Sequence, residues 1–261
     1  MLTYPQLITG ALAQFPVRKQ RRLRTIVNTL ADGRSVRLAD PAGEIMEWHL
    51  QYADLSDEEA CALKQFFEAT EGSLRVFTFL DPTGNLFAWS DHLDYAGWIK
   101  GPLLSVTGGV ADPTGGAKGW RLSNAGAAGQ SLSQILAVPS GYIYCLSAYA
   151  RSSAPGATVS SLRGSARCEH VLTSEWKRLR FSGTGANRSD AIEFGFEVPA
   201  GGSLDVYGMQ VEPQTGASTY KPSTTGGVFA NAWFRDNSLS LTATDVNRHF
   251  ATVSIIHGNR L

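Results

Sequence analysis

The sequence is poor in the residues that build covalent or metal scaffolds. Among 261 residues there are three cysteines, Cys61, Cys145 and Cys168, widely spaced and with no Cys-x-x-Cys pair. That excludes a disulfide framework and a cysteine-based zinc site. It reads instead as three small buried hydrophobes of a protein folded in a reducing cytoplasm. An excess of one charge is also missing: Lys+Arg 23 against Asp+Glu 23 gives a formal net charge of +0, which argues against a protein that coats nucleic acid. No run of about 18 apolar residues occurs, so no membrane insertion is expected. Residues 1–15 lack the basic start and apolar run of a secretion signal. The spacings of familiar catalytic motifs are absent as well: no HExxH, no GxSxG, no P-loop, no GxGxxG opening a helix. The five histidines, His49, His92, His170, His249 and His257, stand apart from one another, and no Asp-rich loop makes a case for calcium. No catalytic residue, metal or cofactor is expected.

What is present suits sheets. Hydrophobic residues make up 43% of the chain, enough for real cores, and 27 Gly with 11 Pro supply many turns. Six Trp, eight Tyr and twelve Phe fit pleated surfaces and stacking. One helix is clearly written. Ser56 followed by Glu59 has capping-box spacing, Asp57, Glu58 and Glu59 favour a helix start, and Ala60, Leu63, Phe66 and Phe67 recur at helical spacing before Gly72. The spacing predicts a helix over 57–70. Strands are predicted at 45–52 and 74–80, with a hairpin pairing 24–30 and 35–38 around Asp32-Gly33.

From Asn85 to Lys221 the chain is Gly/Ser/Ala-rich, with short alternating runs and no helical period, the texture of a β-sandwich or jelly roll. Strands are expected at 141–151, 175–183, 191–199 and 203–211. After Lys221 come strands at 231–234, 238–244 and 249–256. That tail is too short to fold alone and would rejoin the first segment's sheet. The expected organisation is therefore mainly β: a discontinuous domain of residues 1–84 and 222–261 with one helix, and an inserted β-sandwich over 85–221, entered at an exposed turn such as Asp81–Gly84.

Two resemblances attach to these pieces. Asp32-Gly33, Trp48–Tyr52, Leu63, Phe66, Phe67, Gly72, Phe77, Phe79, Asp81 and Pro82, with Trp233-Phe234 through Ile255-Ile256, resemble minor tail proteins of the lambda protein M type, which act as distal tail proteins of siphophages. The middle piece resembles the carbohydrate-binding-module-like jelly rolls inserted in phage tail proteins. The likeness lies in Asn85–Ser90 with Trp98 as a first strand, Tyr149–Ser152, Trp176–Arg178, and an ending at Tyr207–Glu212 and Ala217–Pro222. The resemblance implies a ring of six copies in the virion tail tip, made in the bacterial host cytoplasm. Its partners would be the tail tube protein and the baseplate hub or other tail-tip proteins. Viral DNA would pass through the ring without specific binding, and the inserted domains would decorate the outside.

Two groups of residues carry candidate chemistry. The first is Arg18, Lys19, Arg21, Arg22 and Arg24, five cations in seven residues. This run is read as a subunit contact, as the lining of a DNA channel, or as a solvated arm. The second comes from strand alternation, which puts side chains two apart on one face. Leu146, Leu179, Phe181, Phe194 and Phe196 make a core face. Tyr149, Arg151, Trp176, Arg178, Arg180, Glu193 and Glu197 make an outer face, on which Tyr149, Arg151, Trp176, Arg178 and Glu193 are candidates for binding host cell-surface polysaccharide. Rings stack on sugar faces while charged groups bind hydroxyls. Trp98, Trp120 and Tyr220 read as core. Glu193 and Glu197 also permit a hydrolase pair. The rival readings are thus a receptor-binding adhesin and a glycan-degrading tail enzyme.

Overall fold

A computed structural model describes residues 2–185 and 189–258. The chain is mainly β, with one helix among the described residues. In chain order the elements are β1 (Arg18–Thr29), β2 (Ser35–Leu55), α1 (Asp57–Ala69), β3 (Phe77–Leu80), β4 (Ile99–Lys100), β5 (Leu104–Val110), β6 (Gly119–Asn124), β7 (Gln130–Leu136), β8 (Ile143–Arg151), β9 (Thr158–Arg163), β10 (Ala166–Val171), β11 (Lys177–Thr184), β12 (Ile192–Val198), β13 (Ser203–Glu212), β14 (Val228–Phe234), β15 (Ser240–Asp245) and β16 (Arg248–Gly258).

Two compact units share them. Unit 1 comprises residues 1–7, 13–79 and 229–261; unit 2 comprises 8–12 and 80–228. The crossings fall a few residues from the expected 84/85 and 221/222. Residues 8–12 also group with unit 2, outside the expected span of 85–221.

Unit 1 is a sheet of order β1-β2-β16-β14-β3, with β15 paired to β16. The helix starts as expected. Ser56 accepts from Glu59 N–H, and the Glu59 carboxylate accepts from Ser56 N–H, both halves of a capping box. It ends at Ala69, and Gly72 takes φ +63, the left-handed region in which glycine carries no penalty. Its apolar stripe closes an aromatic core in which Phe66 packs against Tyr4, Phe77 and Phe234 with centroids 5.0–5.9 Å apart. Trp48 meets Phe79 at 5.0 Å and Phe229 at 4.8 Å. The buried Tyr4 and Tyr52 hydroxyls bond each other at 2.9 Å, and burial pushes the Tyr52 phenol up.

Two expectations for unit 1 need correction. The strand before Phe79 begins at Phe77, not Leu74, because Arg75 N–H turns back to Thr70 C=O and keeps 73–76 in a loop. The hairpin is far longer than expected. β2 runs unbroken through Pro41 and Gly43, and β1 takes in the whole basic run, with Thr29 opposite Ser35 and Arg18 opposite His49. Every residue from 21 to 39 is exposed, on both faces of this ribbon.

Unit 2 is a sandwich of two antiparallel five-stranded sheets, β10-β9-β12-β7-β4 and β11-β8-β13-β6-β5. Its core holds Leu122, Leu132, Tyr144, Leu146, Leu179, Phe194, Phe196 and Val206, with Tyr144 edge-on to Phe194 at 5.4 Å. Asn85–Ser90 is not the first strand its resemblance implied. Asn85, Leu86 and Phe87 are buried, but the segment is an irregular seam. The Asn85 amide donates to Met209 C=O (2.9 Å) and Lys221 C=O (3.3 Å) and accepts from Phe87 and Val211 N–H (3.0 and 3.1 Å). Nearby, Asp81 N–H donates to Gly227 C=O at 2.8 Å. The beginning and end of unit 2 are thereby stitched to each other.

Candidate functional site

The expected sugar-binding residues lie mostly, but not wholly, on one surface. β8 pairs with β11 so that Tyr149 stands opposite Arg178, and with β13 so that Tyr149 stands opposite Tyr207 and Arg151 opposite Asp205. Alternation then puts Tyr149, Arg151, Arg178 and Arg180 on the outer face of one sheet, with Trp176 just ahead of β11. The inner positions Leu146, Ala148 and Leu179 are buried as expected, while Phe181 is half-buried beneath Arg163.

Glu193 does not belong to this surface. It sits on β12, in the opposite sheet, across from Ile135, and accepts from the Ser133 hydroxyl at 2.7 Å. The expectation treated the strands as if they lay in one sheet. Alternation fixes which way a side chain points and leaves open which sheet the strand joins. Glu197 shares the outer face of β12, four positions on and about 13 Å away at Cα, and the Glu193 carboxylate is already engaged by the Ser133 hydroxyl.

The face is built from alternating rings and guanidinium groups. Arg151 lies 4.6 Å from the Trp176 ring centre, and Arg178 lies 5.4 Å from that of Tyr149. Tyr149 follows onto Tyr207 at 6.2 Å, and Tyr207 onto Tyr220 at 5.4 Å. Arg178 Nη2 donates to the buried Ser147 hydroxyl (3.1 Å), while its own Nε is buried without a hydrogen-bond partner. Asp205 accepts from Arg121 (2.8 and 3.3 Å) and from Arg151 (3.1 Å). Tyr149, Arg151, Trp176, Arg178 and Tyr207 are half-buried, and Arg180 is exposed.

One end of the sheet is roofed. Gln210 and Glu212 are fully buried under residues 213–221, with Ser218 N–H and hydroxyl donating to Glu212 and Lys221 N–H to Gln210. Gly208 at φ +67 makes the bulge that shifts register between Tyr207 and Gln210. Trp98 is core, as expected; Trp120 and Tyr220 are only half-buried, and Tyr220 joins the aromatic row. Arg121, Asp205 and Tyr207 also belong to this face, beyond the expected candidates. The alternation of Asp205 and Tyr207 with buried Leu204 and Val206 carries the signal that would have found them.

The basic run divides differently from its expectation. Arg21 grips Glu44 with two bonds (2.6 and 2.9 Å), Arg22 reaches Glu47 (3.2 Å) and Arg24 reaches Asp40 (2.6 Å). Three of the five cations are thus neutralised within the chain. Lys19 lies 5.7 Å from the centre of the Trp48 ring, and Arg18 is exposed. Among the side chains the ribbon leaves uncovered are six large apolar ones: Leu23, Ile26, Val27, Leu30, Val36 and Leu38. Among the described residues, no group of three His, Cys, Asp or Glu side chains is placed to hold a metal ion, and no helix is long and apolar enough to cross a membrane.

No protein-family model matches the sequence, and no curated protein matches it. Solved structures similar to part of the chain include the enzymatically active domain of bacteriophage CBA120 tailspike protein 4, 14% identical, covering 51% of this chain and 22% of that one, TM-score 0.40. A second is the C-terminal family 22 carbohydrate-binding module of a Clostridium thermocellum protein, 14% identical, covering 53% and 99%, TM-score 0.40. A third is a xylan-binding family 22 domain from Paenibacillus barcinonensis, 13% identical, covering 54% and 95%, TM-score 0.37. The chain thus spans less than a quarter of the tailspike chain it matches.

Proposed function

We propose that this protein is a structural component of a siphophage tail tip, of the distal tail type. Copies of unit 1 close a ring, six in number, between the tail tube protein and the baseplate hub. The ring sits in the virion, passes DNA without binding it specifically, and carries unit 2 as an outer decoration that binds host surface polysaccharide. The observation that carries the assembly is the β1–β2 ribbon. Two-stranded ribbons are marginal in water, and this one exposes apolar side chains on both faces, Leu23 at 70% and Val27 at 53% among them. Such a surface is built to be covered by protein, and head-to-tail contacts between copies would cover it while closing a ring.

Negative-stain electron microscopy with particle averaging tests the reading. A six-fold ring with a central hole supports it; a stable trimer overturns it. Ile26 and Leu38 face each other across the ribbon, so Ile26→Asp with Leu38→Asp should dissolve the ring into folded monomers. A double variant that assembles like the parent also overturns the reading.

A second reading, a receptor-binding adhesin in which unit 2 is the point of the protein, is favoured by the ring-and-guanidinium face. It separates from the first in particles: Trp176→Ala with Arg178→Ala should abolish adsorption while assembly continues.

A further inference from the structure

The face around Tyr149 carries a charge that its surroundings do not neutralise. Its guanidinium groups are Arg121, Arg151, Arg178 and Arg180, and the one carboxylate bonded within them is Asp205, shared between Arg121 and Arg151. Glu212, on the same side of β13, is fully buried and already engaged by Ser218 and Lys221. Arg178 and Arg180 form no ion pair among the described residues. Asp91 lies at the Tyr220 end of the row, where it accepts from the Tyr220 hydroxyl and pairs with Lys118, so the charge left unpaired on this face is that of Arg178 and Arg180, in a chain whose total charge is zero. Arg178 and Arg180 stand two apart on β11, on the same face and about 7 Å from each other at Cα. The four groups run across the sheet order β11-β8-β13-β6, three strand spacings or about 14 Å. Interleaved with them are the Trp176, Tyr149 and Tyr207 rings.

From this, and resting on the glycan-binding reading above, we infer that the ligand is an acidic polysaccharide, whose anionic groups seat on the Arg178–Arg180 side while its sugar rings stack on the aromatic row. Planar guanidinium forks match carboxylate and phosphate oxygens in pairs. Uronate and phosphate present that same chemistry, so the class is defined by the anion. The rings argue for a sugar chain; duplex DNA keeps its bases stacked inside and offers such a row little to stack on.

The test is affinity electrophoresis of the full chain in gels holding polygalacturonate, the same polymer with its carboxyls reduced, a phosphodiester-bearing mannan, or duplex DNA. Expected is retardation by polygalacturonate or the phosphomannan, at least tenfold weaker retardation by the reduced polymer, and loss of most binding in 0.5 M salt, about where screening shortens to a few ångströms. The stronger of the two charged polymers identifies the anion, and either result supports the proposal. Arg180→Glu, at an exposed position that leaves the fold alone, should lower retardation at least tenfold; Arg178→Lys should lower it less. Equal binding of charged and reduced polymer overturns the acidic class while leaving glycan binding standing. Binding of none of the sugar polymers overturns both. Tighter binding of DNA with the same Arg180 dependence overturns the choice of a sugar chain.

Discussion

Replacing Asn85 with alanine should cost unit 2 more than any exposed substitution on its Tyr149–Arg178 face. Asn85 is 1% exposed. Its oxygen satisfies two backbone N–H groups, of Phe87 and Val211, and its amide nitrogen serves the carbonyls of Met209 and Lys221. Alanine strands both N–H groups, and each unsatisfied buried donor costs about 1–3 kcal/mol. About 3–4 kcal/mol is expected, or roughly 6–16 °C of Tm for a unit of this size. Asn85→Asp is the sharper control. It keeps the two accepted bonds but sets a carboxylate against two carbonyl oxygens in a buried site, so its folded pKa must rise above the unfolded value. The destabilisation is then largest at neutral pH and disappears as pH falls through the raised folded value, because protonation restores a donor. Calorimetry at pH 7 and pH 5, with hydrogen exchange at Val211 to assign the transition to unit 2, reads both effects. A loss below about 1 kcal/mol for the alanine variant, or no pH dependence in the aspartate variant, would refute the claim that this seam holds the unit's ends together.

Two further expectations concern charge. Glu47, 3% exposed, accepts from Arg235 (2.7 Å) and Arg22 (3.2 Å) in unit 1. Both guanidinium groups are about half exposed, so Glu47→Gln should cost only about 1–2 kcal/mol, read as faster exchange of the β2 and β16 amides. Equal exchange in variant and parent would show the ties to be idle. In unit 2 the Asp112 carboxylate accepts from Thr114 hydroxyl (2.6 Å) and from the N–H groups of Lys118, Thr114 and Gly116. These bonds, the Thr114 hydroxyl foremost, hold it down to about 2. A depressed folded value stabilises above the unfolded pKa near 4 and is lost as pH falls toward 2. Asp112→Asn should therefore flatten the stability profile of unit 2 between pH 4 and 2, and an unchanged acid limb would contradict it.

Local signals were readable where one rule decides. The capping box at Ser56, the helical spacing of Leu63 and Phe66, and the strands at 143–151, 192–198 and 203–212 follow from period and turn chemistry. Pairing was not readable. Nothing in the alternation of Glu193 says that β12 joins β7 and β9 instead of β8, so a correct inside-outside assignment still placed Glu193 on the wrong surface. The in-chain partners of the basic run are hidden for the same reason: Glu44, Glu47 and Asp40 neutralise Arg21, Arg22 and Arg24 only once β2 has folded back alongside β1. Asn85–Ser90 has strand-like composition, yet four side-chain bonds from Asn85 replace the ladder a strand would have made.

The proposed function asks two things of one chain, and they fall on separate parts of it. The uncovered apolar surface belongs to the ribbon of unit 1, while the ring-and-guanidinium face belongs to unit 2, whose first and last segments are tied to each other by Asn85 and by the Asp81–Gly227 bond. A unit closed on itself in this way needs little from the chain that carries it, which is why insertion between β3 and β14 is tolerable. On a sheet face with rings already covered in part by guanidinium groups, each proposed site would hold sugar weakly. Closure of a ring by the ribbon turns weak sites into a multivalent array, since every copy after the first binds at the effective concentration set by its neighbours. Ile26→Asp with Leu38→Asp should then weaken attachment to whole cells by orders of magnitude while leaving the affinity of a single site for a short oligosaccharide unchanged. Adsorption and calorimetry on the same preparation read the two quantities. Equal loss in both would mean that assembly and recognition are not separable and that the ribbon supports the sugar face directly.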